Sequence, residues 1–175
     1  SMGIGHTRWA THGPPNDVNA HPHTARFGRL AMIHNGIIEN NESLRTSLEA
    51  NGHAFVSDTD TEVLIHLIDE VQSRTNTSIT DAVQMALKEV EGAYAIAIID
   101  ANEPDLLIAA RKSSPLVIGV GEENEFYIAS DATPIIEHTQ NVIYLDDEEV
   151  AVMHRQDGLT IRNLLNTVIT PEIHE

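Results

Sequence analysis

The stretch GAYAIAIIDANEPDLLIAAR, residues 92–111, decides the fold class. Its two apolar runs, 93–100 and 106–111, flank a turn that Pro104 marks. Runs of the same kind follow at 115–120, 125–130, 141–145, 149–154 and 159–163. Because short turns join each run to the next, the second half of the chain is predicted to form antiparallel sheets.

The first half of the chain carries helical patterns instead. A helix is predicted from Asn41, with Leu44 and Leu48 on one face and Gly52 as its stop. TDTE at 59–62 has the form of a capping box, and apolar residues at helical spacing follow it. A third helix is predicted from about residue 80 to residue 90. Helices followed by strands indicate an α+β fold rather than alternating β-α-β units.

Shorter segments complete this reading. RLAMIH at 29–34 and HAFV at 53–56 have strand character, and residues 2–7 have the character of a strand end. Residues 13–25 contain three prolines and several Asn and Asp residues, which predicts a loop. The tail TVITPEIHE has no capped element and is predicted to be a linker.

Composition excludes several classes of protein. The 175 residues carry a formal net charge of -17, which opposes binding to nucleic acid or to anionic membranes. No apolar run approaches the ~18 residues that a membrane-spanning helix needs. The absence of cysteine excludes disulfides, thiolate metal sites and a cysteine nucleophile within these residues. We expect a cytoplasmic protein without a cofactor.

Three local clusters carry candidate chemistry. GHTRWATHG at 5–13 contains Arg8, which can hold a carboxylate through two parallel hydrogen bonds. HNG at 34–36 follows a predicted strand, and Asn35 with Gly36 can form an oxyanion site, where one donor contributes about 3 kcal/mol. In SDTDTE at 57–62, Asp60 falls in the first turn of a helix and can receive an ammonium group.

Each cluster also has a structural interpretation. Taken singly, they read as a surface arginine beside a core tryptophan, a common Asn-Gly turn, and a carboxylate that complements a helix dipole. Taken together, they describe a site for an α-amino acid that has a carbonyl group in its side chain.

GHTRWATHG, NAHPH, HNGIIEN and SDTDTEV resemble the glutaminase domain of the glutamine–fructose-6-phosphate aminotransferases. These are class II glutamine amidotransferases with the fold of N-terminal-nucleophile hydrolases. The resemblance runs over nearly the whole chain, since GAYAIAIID, SPLVIGVG and IASD also fit the family. It implies a four-layer αββα sandwich, glutamine as the substrate, and delivery of ammonia to fructose 6-phosphate.

The resemblance also implies a role for each matching residue. Arg8 would bind the α-carboxylate of glutamine and Asp60 its α-ammonium group. Asn35 and Gly36 would stabilise the oxyanion. Further pocket residues would be Trp9, Thr11 and His12. The family's nucleophile is an N-terminal cysteine that its own α-amino group activates.

The chain departs from the family at that nucleophile. With no cysteine and a start inside the family's domain, it is expected to be inactive alone and to form an incomplete sandwich that lacks the first strands. We expect the truncated domain to span 1–165, and 166–175 to lead to an absent sugar-isomerase domain. A sheet edge left unpaired by the missing strands predicts self-association, most simply as a two-fold dimer.

Other functions stay open on the sequence. The chain could be the glutaminase domain of another amidotransferase, such as amidophosphoribosyltransferase, or a binding module without catalysis. A metal enzyme is the third alternative, because five of the ten histidines, at 6, 12, 21, 23 and 34, lie within 29 residues. Against it, Pro22 separates His21 from His23, and no helical His pair of the H-E-x-x-H type occurs, so no metal site is predicted.

Overall fold

The computed structural model describes residues 2–8, 10–26 and 28–175. The helices are α1 Asn41–Ala50, α2 Asp60–Thr75, α3 Ile79–Leu87 and α4 Thr133–Ile136. The strands are β1 His23–Ala25, β2 Leu30–Asn35, β3 Tyr94–Asp100, β4 Glu103–Lys112, β5 Val117–Val120, β6 Phe126–Ala129, β7 Val142–Tyr144, β8 Glu149–His154, β9 Gly158–Asn163 and β10 Val168–Ile169.

The strands form two antiparallel sheets. The larger has the order β1-β2-β3-β4-β8-β9-β10, and the smaller has the order β6-β5-β7. Every neighbouring pair in both sheets is antiparallel, as the short turns predicted.

Both faces of the large sheet are buried, which explains the nearly continuous apolar run in β3. Ile96 and Ile98 belong to a core shared with α1, α2 and α3. Ala95, which points to the opposite face, packs toward Ile118 and Ile143 of the small sheet. The small sheet is covered in turn by Ile135 of α4. The resulting order of helices, sheet, sheet and helix confirms the predicted α+β fold and its four layers.

The long helix α2 places its first residue at the candidate site. The Thr59 hydroxyl accepts a hydrogen bond from the Glu62 N–H, as expected for an N-cap. The capping box is incomplete, however, because the Glu62 carboxylate bonds to Val56 and Ser57 rather than to the N–H of Thr59. This carboxylate holds residues 56–57 out of any strand, so the strand predicted at 53–56 is wrong.

Four further local predictions differ from the structure. Residues 2–7 form no strand end, and β1 lies inside the predicted loop 13–25. β4 starts at Glu103 and includes Pro104, which was predicted to lie in a turn. The ladder to β8 starts only at Leu106, so the missing N–H of Pro104 breaks no hydrogen bond to β8. Residues 166–175 include β10, which pairs with β9, and His174, whose backbone pairs with Val142.

Candidate active site

A cavity of ≈ 360 Å³ lies where residues 6–8 and Thr11 meet the end of β2 and the start of α2. Its walls bring together five of the residues that the sequence selected: Arg8, Thr11, Asn35, Gly36 and Asp60. Its size is within the range of small-molecule sites. Trp9, also predicted to line the pocket, lies outside the described residues. His12 is not on the wall, but its Nδ1 lies 3.6 Å from Asp60 Oδ1.

The Asn35–Gly36 turn is docked on the backbone at the start of β3. The Ala93 N–H donates to the Ile37 carbonyl at 2.9 Å, and Gly92 forms a β-bridge with Ile38. Gly36 has a φ of 118° and Gly92 a φ of 115°, both in the region that favours glycine. A Cβ on either would lie less than 3.0 Å from a carbonyl oxygen of the opposite segment. The close approach therefore needs glycine at both positions.

Asp60 connects this turn to helix α2. Its side chain is 5% exposed, and Oδ2 accepts a hydrogen bond from the Ile38 N–H at 2.8 Å. Its position in the first turn of α2 also places its negative charge at the positive end of the helix dipole. The 3.6 Å to His12 Nδ1 is longer than a hydrogen bond, so Oδ1 keeps acceptor capacity for a cationic ligand group.

The Arg8 guanidinium is bonded to its own loop. It donates to the carbonyl groups of His12, Gly13 and Pro14, the last at 3.1 Å. Three of its five N–H groups are thus used within the chain. A ligand carboxylate would compete with these carbonyl groups for the guanidinium.

Asn19, which the sequence analysis did not select, joins the two walls of the cavity. It is 1% exposed. Its Nδ2 donates to the Pro14 carbonyl at 3.0 Å, and its Oδ1 accepts from the Asp58 N–H at 2.9 Å. The loop that Arg8 closes is thereby fixed to the residues before α2. The only signal in the sequence was that Asn19 is the first residue of the motif NAHPH.

The clustered histidines form hydrogen bonds that organise the pocket. His21 Nδ1 accepts from the His34 N–H at 3.2 Å, so the neutral ring carries its proton on Nε2, which lies 3.3 Å from the Thr61 hydroxyl. That hydroxyl lies 2.9 Å from His34 Nδ1, and His34 Nε2 faces the Ala93 carbonyl. Donor and acceptor therefore alternate along His21, Thr61 and His34 with both rings neutral.

Burial keeps these rings uncharged. Burial, reinforced by the neighbouring His6, lowers the pKa of His21 to about 3. Burial also lowers the pKa of His34 and of His23, whose Nε2 lies 2.9 Å from the Thr59 hydroxyl. Within residues 2–8, 10–26 and 28–175, no group of three or more His, Asp or Glu side chains has an arrangement that could hold a metal ion.

Glu62 holds the segment that leads into Asp60. It is 2% exposed and accepts hydrogen bonds from the Val56 N–H, the Ser57 N–H and the Ser57 hydroxyl. His66 Nε2 lies 3.3 Å from Oε1, the oxygen that also accepts from the Val56 N–H. Burial alone would raise the pKa of Glu62, but the bonds from His66, Ser57 and Val56 outweigh it and lower that pKa to about 2.

We expect Glu62→Gln to lower the free energy of unfolding by about 2–3 kcal/mol at pH 7, because hydrogen bonds to a charged acceptor are replaced by weaker ones. The depressed pKa makes this contribution complete above the ordinary pKa of 4.5 and removes it as the pH falls toward about 2. Urea unfolding of both proteins at several pH values measures the difference.

The control for this measurement is Glu49→Gln, a change of the same kind at an exposed position of α1. It should stay within about 0.5 kcal/mol of the parent at every pH. A Glu62→Gln difference that does not shrink between pH 5 and pH 2.5 would contradict the role assigned to the ionised carboxylate.

A second cavity, of ≈ 320 Å³, lies between the two sheets. Ile33 and Ala97 of the large sheet and Ile128 of the small sheet are on its walls. His6 and Asn35 line both cavities and form part of the boundary between them. A reacting atom held at Asn35 can thus be approached from either side.

A family model described as a glutamine amidotransferase domain matches residues 6–137. The chain belongs to the glutamine amidotransferase family. This confirms the resemblance read from the sequence. No helix in the described part of this amidotransferase chain is long and apolar enough to cross a membrane.

Curated relatives of this amidotransferase chain are named glutamine–fructose-6-phosphate aminotransferase (isomerizing). That of Bacteroides thetaiotaomicron is 55% identical over 99% of the chain, and that of Pyrococcus horikoshii is 46% identical over the whole chain. The chain spans 28% and 29% of the lengths of these two relatives.

Solved structures support the same fold. A phosphoribosylpyrophosphate amidotransferase from B. subtilis superposes with a TM-score of 0.75 and 24% identity, over 93% of this chain and 35% of its own. A structure described as the allosteric regulatory enzyme of purine biosynthesis has a TM-score of 0.74 and 28% identity, over 91% of this chain and 34% of its own.

Proposed function

We propose that the chain is the glutaminase part of a glutamine–fructose-6-phosphate aminotransferase. It would hydrolyse glutamine to glutamate and ammonia, and the ammonia would aminate fructose 6-phosphate to give glucosamine 6-phosphate. The observation that carries the proposal is the single cavity that joins Asp60, the docked Asn35–Gly36 turn and Arg8. The relatives that carry this name match 99–100% of the chain at 46–55% identity, which supports the choice of acceptor.

The proposed roles follow from the chemistry of each group. The α-ammonium of glutamine pairs with Asp60 Oδ1. The α-carboxylate accepts hydrogen bonds from the Arg8 guanidinium and replaces loop carbonyl groups as its acceptor. Thr11 and His12 add hydrogen bonds to the bound amino acid, and Trp9 completes the pocket. The side-chain amide then lies at Asn35 and Gly36, whose N–H groups stabilise the oxyanion.

The nucleophile has to come from outside residues 1–175, because these contain no cysteine. A thiolate that attacks the amide carbon forms a tetrahedral oxyanion; ammonia leaves, and water releases glutamate from the thioester. The cavity between the sheets gives such a thiol access to Asn35. The chain alone is therefore proposed to bind glutamine without hydrolysing it.

The remaining parts of the proposal concern the whole protein. Residues 166–175 would lead to a sugar-isomerase domain, which is consistent with relatives more than three times as long as this chain. The enzyme would be a cytoplasmic homo-oligomer. The alternative acceptor, phosphoribosylpyrophosphate, is less well supported, since those structures share only 24–28% identity with the chain.

Two measurements test the proposal. The full-length gene product should release glutamate and ammonia from glutamine and should form glucosamine 6-phosphate when fructose 6-phosphate is present. The 175-residue chain should bind glutamine in calorimetry and release no ammonia. Absence of glutamine hydrolysis in the full-length protein would overturn the proposal.

Asp60→Asn should weaken the binding of glutamine to the chain about 30- to 100-fold. The amide oxygen of Asn can still accept from the Ile38 N–H, so the turn is kept while the charge that pairs with the ammonium is lost. Calorimetric Kd values measure the change.

The control variant is Asp58→Asn, which removes the same charge two residues away at an exposed side chain. It should change the Kd less than about twofold, because exposed charge pairs are weak. Equal effects of the two variants would remove Asp60 from the ammonium site.

A further inference from the structure

His6 contacts the side chain proposed to stabilise the oxyanion. Its Nε2 forms a hydrogen bond with Asn35 Oδ1. Its ring stacks on His21, with centroids 4.2 Å apart and planes inclined by 15°. His21 is itself held by the His34 N–H and by Thr61. A chain of contacts therefore runs from helix α2 through two imidazole rings to the Asn35 carboxamide.

The location of the proton on His6 follows from the contacts of its two nitrogens. Nδ1 is buried and has no hydrogen-bond partner among the described residues. A proton on a buried nitrogen without an acceptor is unfavourable, because the N–H has lost its hydrogen bond to water and gained none in return. The neutral ring therefore carries its hydrogen on Nε2, where the Asn35 carbonyl oxygen accepts it.

This hydrogen decides which end of the Asn35 carboxamide faces the ligand. An Nε2–H donor attracts Oδ1 and leaves both Nδ2 hydrogens for another acceptor. If His6 Nε2 carried a lone pair instead, it would attract the Nδ2 hydrogens of Asn35. The Asn35 oxygen would then face the developing oxyanion and repel it. We infer that His6 is a positioning residue: its Nε2–H holds Asn35 with the amide hydrogens directed at the substrate carbonyl oxygen. This inference rests on the proposed glutaminase function.

The role differs from that of a general base. A base must lose its proton to act, whereas a protonated His6 still has the Nε2–H that Asn35 needs. Besides His6, the basic groups that line the same cavity are Arg8, His21 and His34, and its acidic group is Asp60. His6 as a positioning residue therefore adds no acidic limb to the pH profile of kcat.

Two variants of the full-length enzyme separate the donor from the ring. His6→Phe keeps a ring to stack on His21 and loses the donor; His6→Gln keeps an N–H donor at a similar reach. We expect kcat for glutamine to fall about tenfold in His6→Phe, with KM changed less than about threefold, because the donor acts through an oxyanion contact. In His6→Gln, kcat should stay within about threefold of the parent.

A kcat in His6→Phe within twofold of the parent would overturn the inference, as would an acidic limb of the pH profile that disappears in His6→Phe.

The 175-residue chain gives a readout independent of activity. Nitrogen chemical shifts of His6 should show the Nε2–H tautomer, and the Asn35 amide signals should shift in His6→Phe but much less in His6→Gln. An Nδ1–H tautomer would overturn the inference even in an active enzyme, and an inactive parent enzyme would instead reject the proposed function.

Discussion

Asn35→Ala should lower kcat for glutamine hydrolysis in the full-length enzyme by about 10²–10³, with KM changed less than about threefold. A preorganised donor interacts more strongly with the oxyanion of the transition state than with the neutral amide of the substrate. Its loss therefore appears in kcat rather than in binding. Steady-state kinetics with glutamine measure both constants.

Asn35→Asp is the matched comparison for this experiment. It keeps the shape of the side chain and an oxygen for His6, but it replaces the Nδ2 donor by an oxygen that carries negative charge. We expect at least as large a loss of kcat as in the alanine variant, because a carboxylate repels the oxyanion. A raised KM with unchanged kcat in both variants would place Asn35 in substrate binding and remove it from the oxyanion site.

The second half of the fold was predictable because each strand and each turn is marked by residues close together in the sequence. Strands such as β3 and β8 are short apolar runs between turns, and each pairs with a neighbour that a short turn brings to it. Helix α2 was equally predictable, since the Thr59 cap is contained within four residues. What sequence reasoning missed depends on contacts that the pattern of apolar residues does not show. β1 forms by pairing with β2, and the N–H groups of Val56 and Ser57 donate to the Glu62 carboxylate rather than to a neighbouring strand.

In the candidate site, too, some residues were indicated by local motifs and others only by contacts in the folded chain. The motifs selected Arg8, Asn35 and Asp60, and the fold brings these residues to one cavity. Asn19 was missed because its contacts reach the segment before α2, 39 residues along the chain. The histidines were considered as metal ligands because spacing shows their proximity but not where their nitrogens point. In the structure, His34 Nδ1 lies beside a hydroxyl group, His21 Nδ1 accepts from the backbone, and His6 Nε2 bonds to a carboxamide.

The docking of the Asn35–Gly36 turn is the least local of these features, and it leads to the largest expected loss of stability. Gly36→Ala should lower the free energy of unfolding of the chain by at least about 3 kcal/mol. The added Cβ would meet the Ala93 carbonyl, a backbone atom that cannot move without disturbing the start of β3. Glutamine affinity should fall as well, since Ile38, whose N–H donates to Asp60, lies two residues after the displaced glycine.

Gly52→Ala separates the clash from the cost of the backbone conformation. Gly52 also has a positive φ, 92°, but a Cβ there meets nothing within 4 Å. It should therefore show only the conformational cost, about 1 kcal/mol. Gly92→Ala should resemble Gly36→Ala, and because both break the same contact, the double variant should cost less than the sum of the two. Urea unfolding of the four variants measures these differences. Equal losses of stability in Gly36→Ala and Gly52→Ala would contradict the role of close docking on Gly92 and Ala93. They would mean that the backbone conformation alone makes glycine necessary at the turn.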